Sequence, residues 1–373
     1  MNNKKKILIL NWRCPKNPLS GGAEMVTLEH AKVWVKKGFD VTWLSGGYKN
    51  CKKEEYIEGV RIFRYGNPLS IYLLAPILYW FKWHGKFDLV IDEIHGLPFF
   101  TPLYVKGPII AFIHEVADKI WDYMFTFPIS WLGKWLESHY FKLYKNISFW
   151  TDADSTIEEL VPMGIRKKDC IAINCPASNS AISELPKKEE IPTFIFVSRL
   201  VRMKSVEEVI EAFFYIQKEL PNAQLWIVGD GDKVYYEELV NKVKNYSISN
   251  KVTFYGRVSN EKKLELMKRS HVHLLGIKVH AGWCLVVIEA ASQGTPSVVY
   301  YTSGLRDAVK NDKTGIVLQQ NNPKEMAKQA VLLFKNKERY ILFQNAGLLW
   351  AKSLTWEKAT EQSLKLIESK FNV

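Results

Sequence analysis

Short apolar runs rich in β-branched residues recur along this chain, and between them apolar positions fall at helical spacing. The first half carries such runs at 7–10, 41–44, 61–64, 89–91, 109–113, 148–151 and 171–173. The second carries them at 193–197, 224–228, 252–255, 272–275, 297–300 and 315–318. Strand-sized runs alternating with helical stretches predict βαβ units and parallel sheets, an α/β chain. The pattern lapses between 174 and 192, where Pro176, Pro186 and Pro192 flank Lys187-Lys188-Glu189-Glu190. That composition predicts a linker. The expected organisation is a first doubly wound, Rossmann-like domain over 1–178 and a second over 179–355, facing each other across a cleft. The segment 356–373 regains helical periodicity and is read as a helix completing the first domain; an ordinary terminal helix is the alternative.

Composition narrows the class. A chain of 373 residues, 47% hydrophobic, exceeds what one core usually holds. A net charge of +12 points to an anionic partner: nucleic acid, a membrane surface or a phosphorylated substrate. No zinc-finger spacing or ribonucleoprotein motif is present, so nucleic acid is not expected. The five cysteines, Cys14, Cys51, Cys170, Cys175 and Cys284, have no metal-ligand or CxxC spacing, which fits reduced thiols and a cytoplasmic location. The apolar run after Lys4-Lys5-Lys6 is too short for a signal peptide, and no uninterrupted run of about 18 apolar residues predicts a membrane span.

Chemistry concentrates at strand-to-helix turns. Arg199 follows the run 193–197 and Lys204 precedes the next helical stretch; two cations there can neutralise a departing diphosphate, while Arg202 between them reads as a solvated charge. Glu289 sits in the apolar stretch Val286-Val287-Ile288-Glu289-Ala290. An acid in such a stretch needs a partner or faces a cleft, and it can accept both hydroxyls of a ribose. Gly21 and Gly22 open a helix after the first strand, where backbone amides can approach a phosphate; a tight turn capped by Ser20 is the alternative. His114 closes the run 109–113, and either hydrogen-bonds a sugar or phosphate or is a satisfied core histidine. Asp92, Glu93 and His95 follow the run 89–91 and read as loop polar groups, with contacts to the acceptor as the alternative.

Two segments, 71–86 and 121–144, interleave Trp, Tyr and Phe with Lys. They fit either a hydrophobic core between helices or a peripheral contact with an anionic membrane surface.

Together these elements resemble the retaining GT-B glycosyltransferases of the "glycosyl transferases group 1" family. The resemblance rests on Gly21-Gly22-Ala23-Glu24, Ser198-Arg199-Leu200 with Lys204-Ser205, Trp226-Ile227-Val228-Gly229-Asp230-Gly231, Phe254-Tyr255-Gly256-Arg257-Val258, and Gly282 to Glu289 with Gly294-Thr295-Pro296. It implies a nucleotide-sugar donor, UDP- or GDP-linked, and a glycan or lipid-linked acceptor, with no other cofactor and no obligate metal. Arg199 and Lys204 would bind the diphosphate, Val258 the base through its backbone, Gly282, Leu285 and Val286 would lie at the phosphate, Glu289 would take the ribose, and His114 the donor sugar. The expected activity is hexosyl transfer with retention, in polysaccharide or cell-surface glycan synthesis, peripheral on the inner face of the membrane. One departure stands out: the first acid of the family's E-x7-E signature is Ala281 here, and Cys284 replaces a glycine. His280 or Asp307 can stand in for that acid. A non-catalytic nucleotide-sugar-binding or scaffolding subunit is therefore the rival reading, and a GT-B sugar-nucleotide epimerase a more distant one.

Overall fold

A computed structural model describes residues 4–177 and 181–371. The chain separates into two compact units, Met1–Cys175 with Thr355–Val373, and Pro176–Leu354. The expected boundary at 178/179 lies outside the described residues.

The first unit runs β1 (Lys6–Leu10), α1 (Gly22–Lys36), β2 (Asp40–Gly46), β3 (Glu54–Ile57), β4 (Val60–Tyr65), α2 (Ile71–Leu78), β5 (Leu89–Ile94), β6 (Ile109–Ile113), α3 (Ile120–Met124), α4 (Ile129–Tyr140), β7 (Ser148–Thr151), α5 (Asp154–Leu160) and β8 (Cys170–Ala172). Its eight strands are ordered β3-β4-β2-β1-β5-β6-β7-β8. All neighbours are parallel except β3 and β4, an antiparallel hairpin. The hairpin turn, Glu58-Gly59, has positive φ at both residues, the geometry that matches strand twist. Strand β3 gives no signal in the sequence: Glu54-Glu55-Tyr56-Ile57 lacks an apolar run because it is an edge strand with both faces partly wet. Strand β5 runs on through Asp92 and Glu93, which are fully buried inside it and are not loop groups.

The second unit runs β9 (Thr193–Val197), α6 (Val206–Glu219), β10 (Gln224–Val228), α7 (Lys233–Asn245), β11 (Val252–Gly256), α8 (Asn260–Arg269), β12 (Val272–Leu275), α9 (Leu285–Ser292), β13 (Ser297–Val299), α10 (Leu305–Ala308), β14 (Gly315–Val317), α11 (Pro323–Lys335) and α12 (Lys337–Ser353). Its six strands, ordered β11-β10-β9-β12-β13-β14, are all parallel. Strand β9 is buried from end to end, as a central parallel strand covered on both faces must be.

The last helix, α13 (Trp356–Glu368), packs on α1 in the first unit. Ser363 Oγ lies 2.9 Å from His30 Nδ1 and accepts from Trp34 Nε1 at 3.1 Å, all of it buried. These are two doubly wound α/β domains, the GT-B architecture.

Candidate functional site

In the second unit the chemistry gathers where β9, β10 and β12 end. Beyond β9 the chain turns through Ser198-Arg199-Leu200, and Ser198 and Leu200 N–H donate to the Val228 and Asp230 carbonyls at 3.1 and 2.8 Å. The approach is so close that a Cβ on Gly229 would lie 1.9 Å from the Ser198 oxygen, and Gly229 has φ +135°. Glycine is obligatory there. The turn leaves the Arg199 side chain exposed and Lys204 half-buried. Among the described residues neither has an ion-pair or hydrogen-bond partner. Arg202 instead donates to Glu238 at 2.6 Å. Ser205 takes a left-handed conformation (φ 50°) to start α6.

Helix α9 begins at Leu285 after Cys284, which is also left-handed (φ 51°). Its first amides lack intrahelical acceptors and carry the positive end of the helix dipole, so the backbone at Leu285 and Val286 suits an anion. Gly282 lies just before, against Gly304: a Cβ on Gly304 would sit 2.0 Å from the Gly282 oxygen. Val286 and Val258 pack on one core cluster with Val197, Trp226 and Ala290, so the structure brings the base and phosphate candidates together. Glu289, one turn into α9, is 7% exposed, and one oxygen accepts from Lys263 Nζ at 2.7 Å. Lys263, on α8, gives no sequence signal: a lysine on a charged helix looks solvated until α9 packs beside it. Ala281 is buried, 1% exposed. His280 Nδ1 lies 3.3 Å from Ser303 Oγ, and Asp307 is half-buried on α10.

In the first unit the carboxyl ends of β1, β5, β6 and β7 converge on a second polar group. His114 Nδ1 meets Asp152 Oδ2 at 2.5 Å. Its ring stacks on His95 at 5.5 Å, and His95 stacks on Trp12 at 5.6 Å. Asn11 donates to Glu93, and His95 Nε2 lies 3.5 Å from the same carboxylate. Burial opposes a charged His114, but Asp152, with Glu93 and Glu115 behind it, outweighs burial and lifts the pKa to about 9. Burial raises Glu93 to about 8, against the pull of His114. Burial, with His114 and Arg13 nearby, holds His95 well below its usual value. Glu93 Oε1 and His114 Nε2 are buried without a hydrogen-bond partner, a sign of groups shaped for a ligand.

Glu93, His95 and His114 also bring potential metal-ligating atoms within 4.8 Å of one another. With both ring nitrogens protonated, as its raised pKa favours at neutral pH, His114 has no lone pair to offer, and its Nε2–H stands without an acceptor. The group suits hydroxyls or an anion. Asp92 serves the fold instead. It accepts from Phe99 and Thr101 N–H, Thr101 Oγ1 and Tyr144 Oη, and so ties down the chain after β5.

Gly21 and Gly22 open α1, as the sequence places them. Gly21 caps α1 with an extended backbone, and its N–H donates to Glu24 Oε2 at 2.7 Å. Glu24, almost fully buried, also pairs with Arg13 Nε at 2.9 Å. The Gly21 amide is therefore already engaged by a carboxylate.

Residues 178–349 match the sequence profile of "Glycosyl transferases group 1", and residues 20–169 match that of "Glycosyltransferase Family 4". The chain belongs to the group 1 glycosyltransferases. An uncharacterized glycosyltransferase of Haemophilus influenzae is 26% identical over 92% of this chain and 95% of its own. The fold matches sucrose-phosphate synthase of Thermosynechococcus elongatus with a TM-score of 0.79 at 16% identity, covering 99% of this chain and 100% of that one. Anabaena HepE, solved in complex with UDP and glucose, matches with a TM-score of 0.74 at 14% identity, covering 98% and 100%. At such identities the solved structures speak for the fold alone.

Proposed function

We propose that this group 1 glycosyltransferase moves a hexose from a UDP- or GDP-sugar to a glycan or lipid-linked acceptor, with retention and without a metal, in polysaccharide or cell-surface glycan synthesis. One observation carries the reading: Arg199 and Lys204 stand without partners at the exit of β9, in the same unit as the amide-rich start of α9. Two cations and a helix N-terminus are what a diphosphate needs. In this reading the anomeric C–O bond to the diphosphate breaks while Arg199 and Lys204 hold the departing charge. The acceptor oxygen bonds to the same face of that carbon, and the diphosphate takes the acceptor proton. Glu289, steadied by Lys263, accepts from the ribose hydroxyls, and the Val258 backbone meets the base. In the first unit, His114 donates to a sugar hydroxyl. Five cysteines, none of them in a disulfide among the described residues, support a reducing, cytoplasmic setting.

The buried Ala281 keeps a second reading in play, a nucleotide-sugar-binding subunit without turnover, because its methyl group cannot support charge at the anomeric carbon.

Thermal unfolding with UDP, GDP, ADP and their sugar conjugates, alone and with Glu289→Ala, tests both. A ligand at one hundred times its Kd adds about 2.7 kcal/mol of stability. Stabilisation by one nucleotide series that vanishes in Glu289→Ala places the donor site. Stabilisation without glycan product in a coupled assay favours the binding subunit. No stabilisation by any nucleotide removes the donor-site assignment.

A further inference from the structure

We propose that the outer surface of the helical layer carrying α2, α3 and α4 is a docking surface for an anionic lipid bilayer. This stands apart from the donor-site reading and rests on other residues.

The layer is one surface because both of its parts cover the same face of the sheet. Val90 and Ile94 of β5 share a side, as do Ile109 and Ile113 of β6, since strand side chains alternate. Val90 and Ile109 pack with Ile71, Ala75 and Tyr79 of the α2 region. Ile94 and Ile113 pack with Tyr140, Phe141 and Tyr144, at and beyond the end of α4. The inward side of this layer is thus fully used by the core.

Its outward side is strongly apolar. Phe81 is 85% exposed, Phe127 80% and Leu73 76%, and Trp80, Trp131 and Trp135 are each about half exposed. The aromatics are carried on a braced frame. Glu137 accepts from the N–H groups of Ala117 and Asp118 at 2.8 and 2.7 Å and from Trp121 Nε1 at 3.1 Å. The Trp121 ring lies so close over Gly133 that a Cβ there would meet it at 2.4 Å. Trp121 locks α3 to α4 and leaves the other rings facing solvent.

Charge selects the occupant. Residues 69–86 contain no acid, and Lys82 and Lys86 are exposed. In 119–145 the acids are Asp122, paired with Lys134 at 2.8 Å, and the buried Glu137. Lys119, Lys142 and Lys145 remain exposed. Indole and phenyl rings rimmed by lysines match the interface of a bilayer with acidic headgroups: rings enter the acyl boundary, and lysine stems lie along it with their ammonium groups at the phosphates. No described helix is long and apolar enough to cross a membrane, so the contact is with the interface.

The test is flotation of the full chain with vesicles of phosphatidylcholine alone and with about one-third phosphatidylglycerol. The expected result is binding to the acidic vesicles at least about tenfold tighter than to the neutral ones, weakened by salt. Trp131→Ser with Trp135→Ser is expected to lower it about tenfold, and Lys142→Glu with Lys145→Glu to remove the preference for acidic lipid. Phe127→Ser is a control on folding, since so exposed a ring packs little; it is expected to unfold at the wild-type temperature and still bind more weakly. Absence of vesicle binding, equal binding to both vesicles, or unchanged binding in these variants overturns the proposal. So does a concentration-dependent dimer abolished by Phe127→Ser, which would give the surface to a second copy of the chain.

Discussion

Lys204 and His114 show how much a single side chain depends on its surroundings. Lys204 has no partner among the described residues, so its ammonium is available to a ligand. Lys204→Ala is expected to weaken nucleotide-diphosphate binding by about 1.5–3 kcal/mol, measured by calorimetric titration, through loss of a charge-assisted contact. Unchanged affinity would take Lys204 out of the site. His114 is held in its charged form by Asp152, with a pKa raised from 6.5 to about 9. A raised folded pKa contributes stability in full below 6.5 and loses it as pH rises through about 9. The neighbouring Glu93, raised from 4.5 to about 8, loses stability over its own window as pH rises. Denaturant unfolding of wild type is expected to weaken from pH 6.5 to 9, and His114→Gln to flatten that decline by on the order of 2 kcal/mol. An identical slope in the variant would show that Asp152 does not hold the charge.

At the level of elements, the loop after β10 is the part on which donor placement leans. Gly229 lets that loop lie against the Ser198 carbonyl. Gly229→Ala would force the two segments apart and strain a left-handed φ, with an expected cost of about 2–4 kcal/mol in urea unfolding. Nucleotide affinity is expected to fall with it, because the displaced turn carries Arg199; full retention of both would contradict the geometry. Helix α13 makes a comparable demand on the first unit. Its Ser363 hydroxyl serves both His30 and Trp34 in a dry setting. Ser363→Ala is expected to cost about 1–3 kcal/mol by leaving buried ring nitrogens unsatisfied, read as a lower unfolding midpoint.

The whole molecule carries buried neutral histidines in both units. His30 in the first is lowered to about 3 by burial, with His114 adding to it, and His273 in the second is lowered to about 3 by burial alone. Once unfolded, each binds a proton below about 6.5, which the folded chain refuses, so stability falls as pH drops below 6.5. At pH 5 each is expected to have lost about 2 kcal/mol. Calorimetry between pH 7 and 5 checks this: His273→Asn should blunt the acid sensitivity of the second unit, and an unaltered profile would refute the assignment. The sequence by itself determined the α/β class, nearly every strand and the family, because buried parallel strands are written as continuous apolar runs and the family's turns as short, local motifs. Arg199, Lys204 and the start of α9 were legible for the same reason, since each lies within a few residues of a strand end. It did not reveal β3, whose edge position needs no apolar run. It did not reveal that Asp92 and Glu93 are strand residues: acids at strand ends look like loop until their partners, Tyr144 and Asn11, fold beside them. Lys263 on Glu289 and Asp152 on His114 were decided only by tertiary structure. They join residues 26 and 38 positions apart, and in both what matters is the burial and direction of a side chain, which packing sets and no spacing encodes.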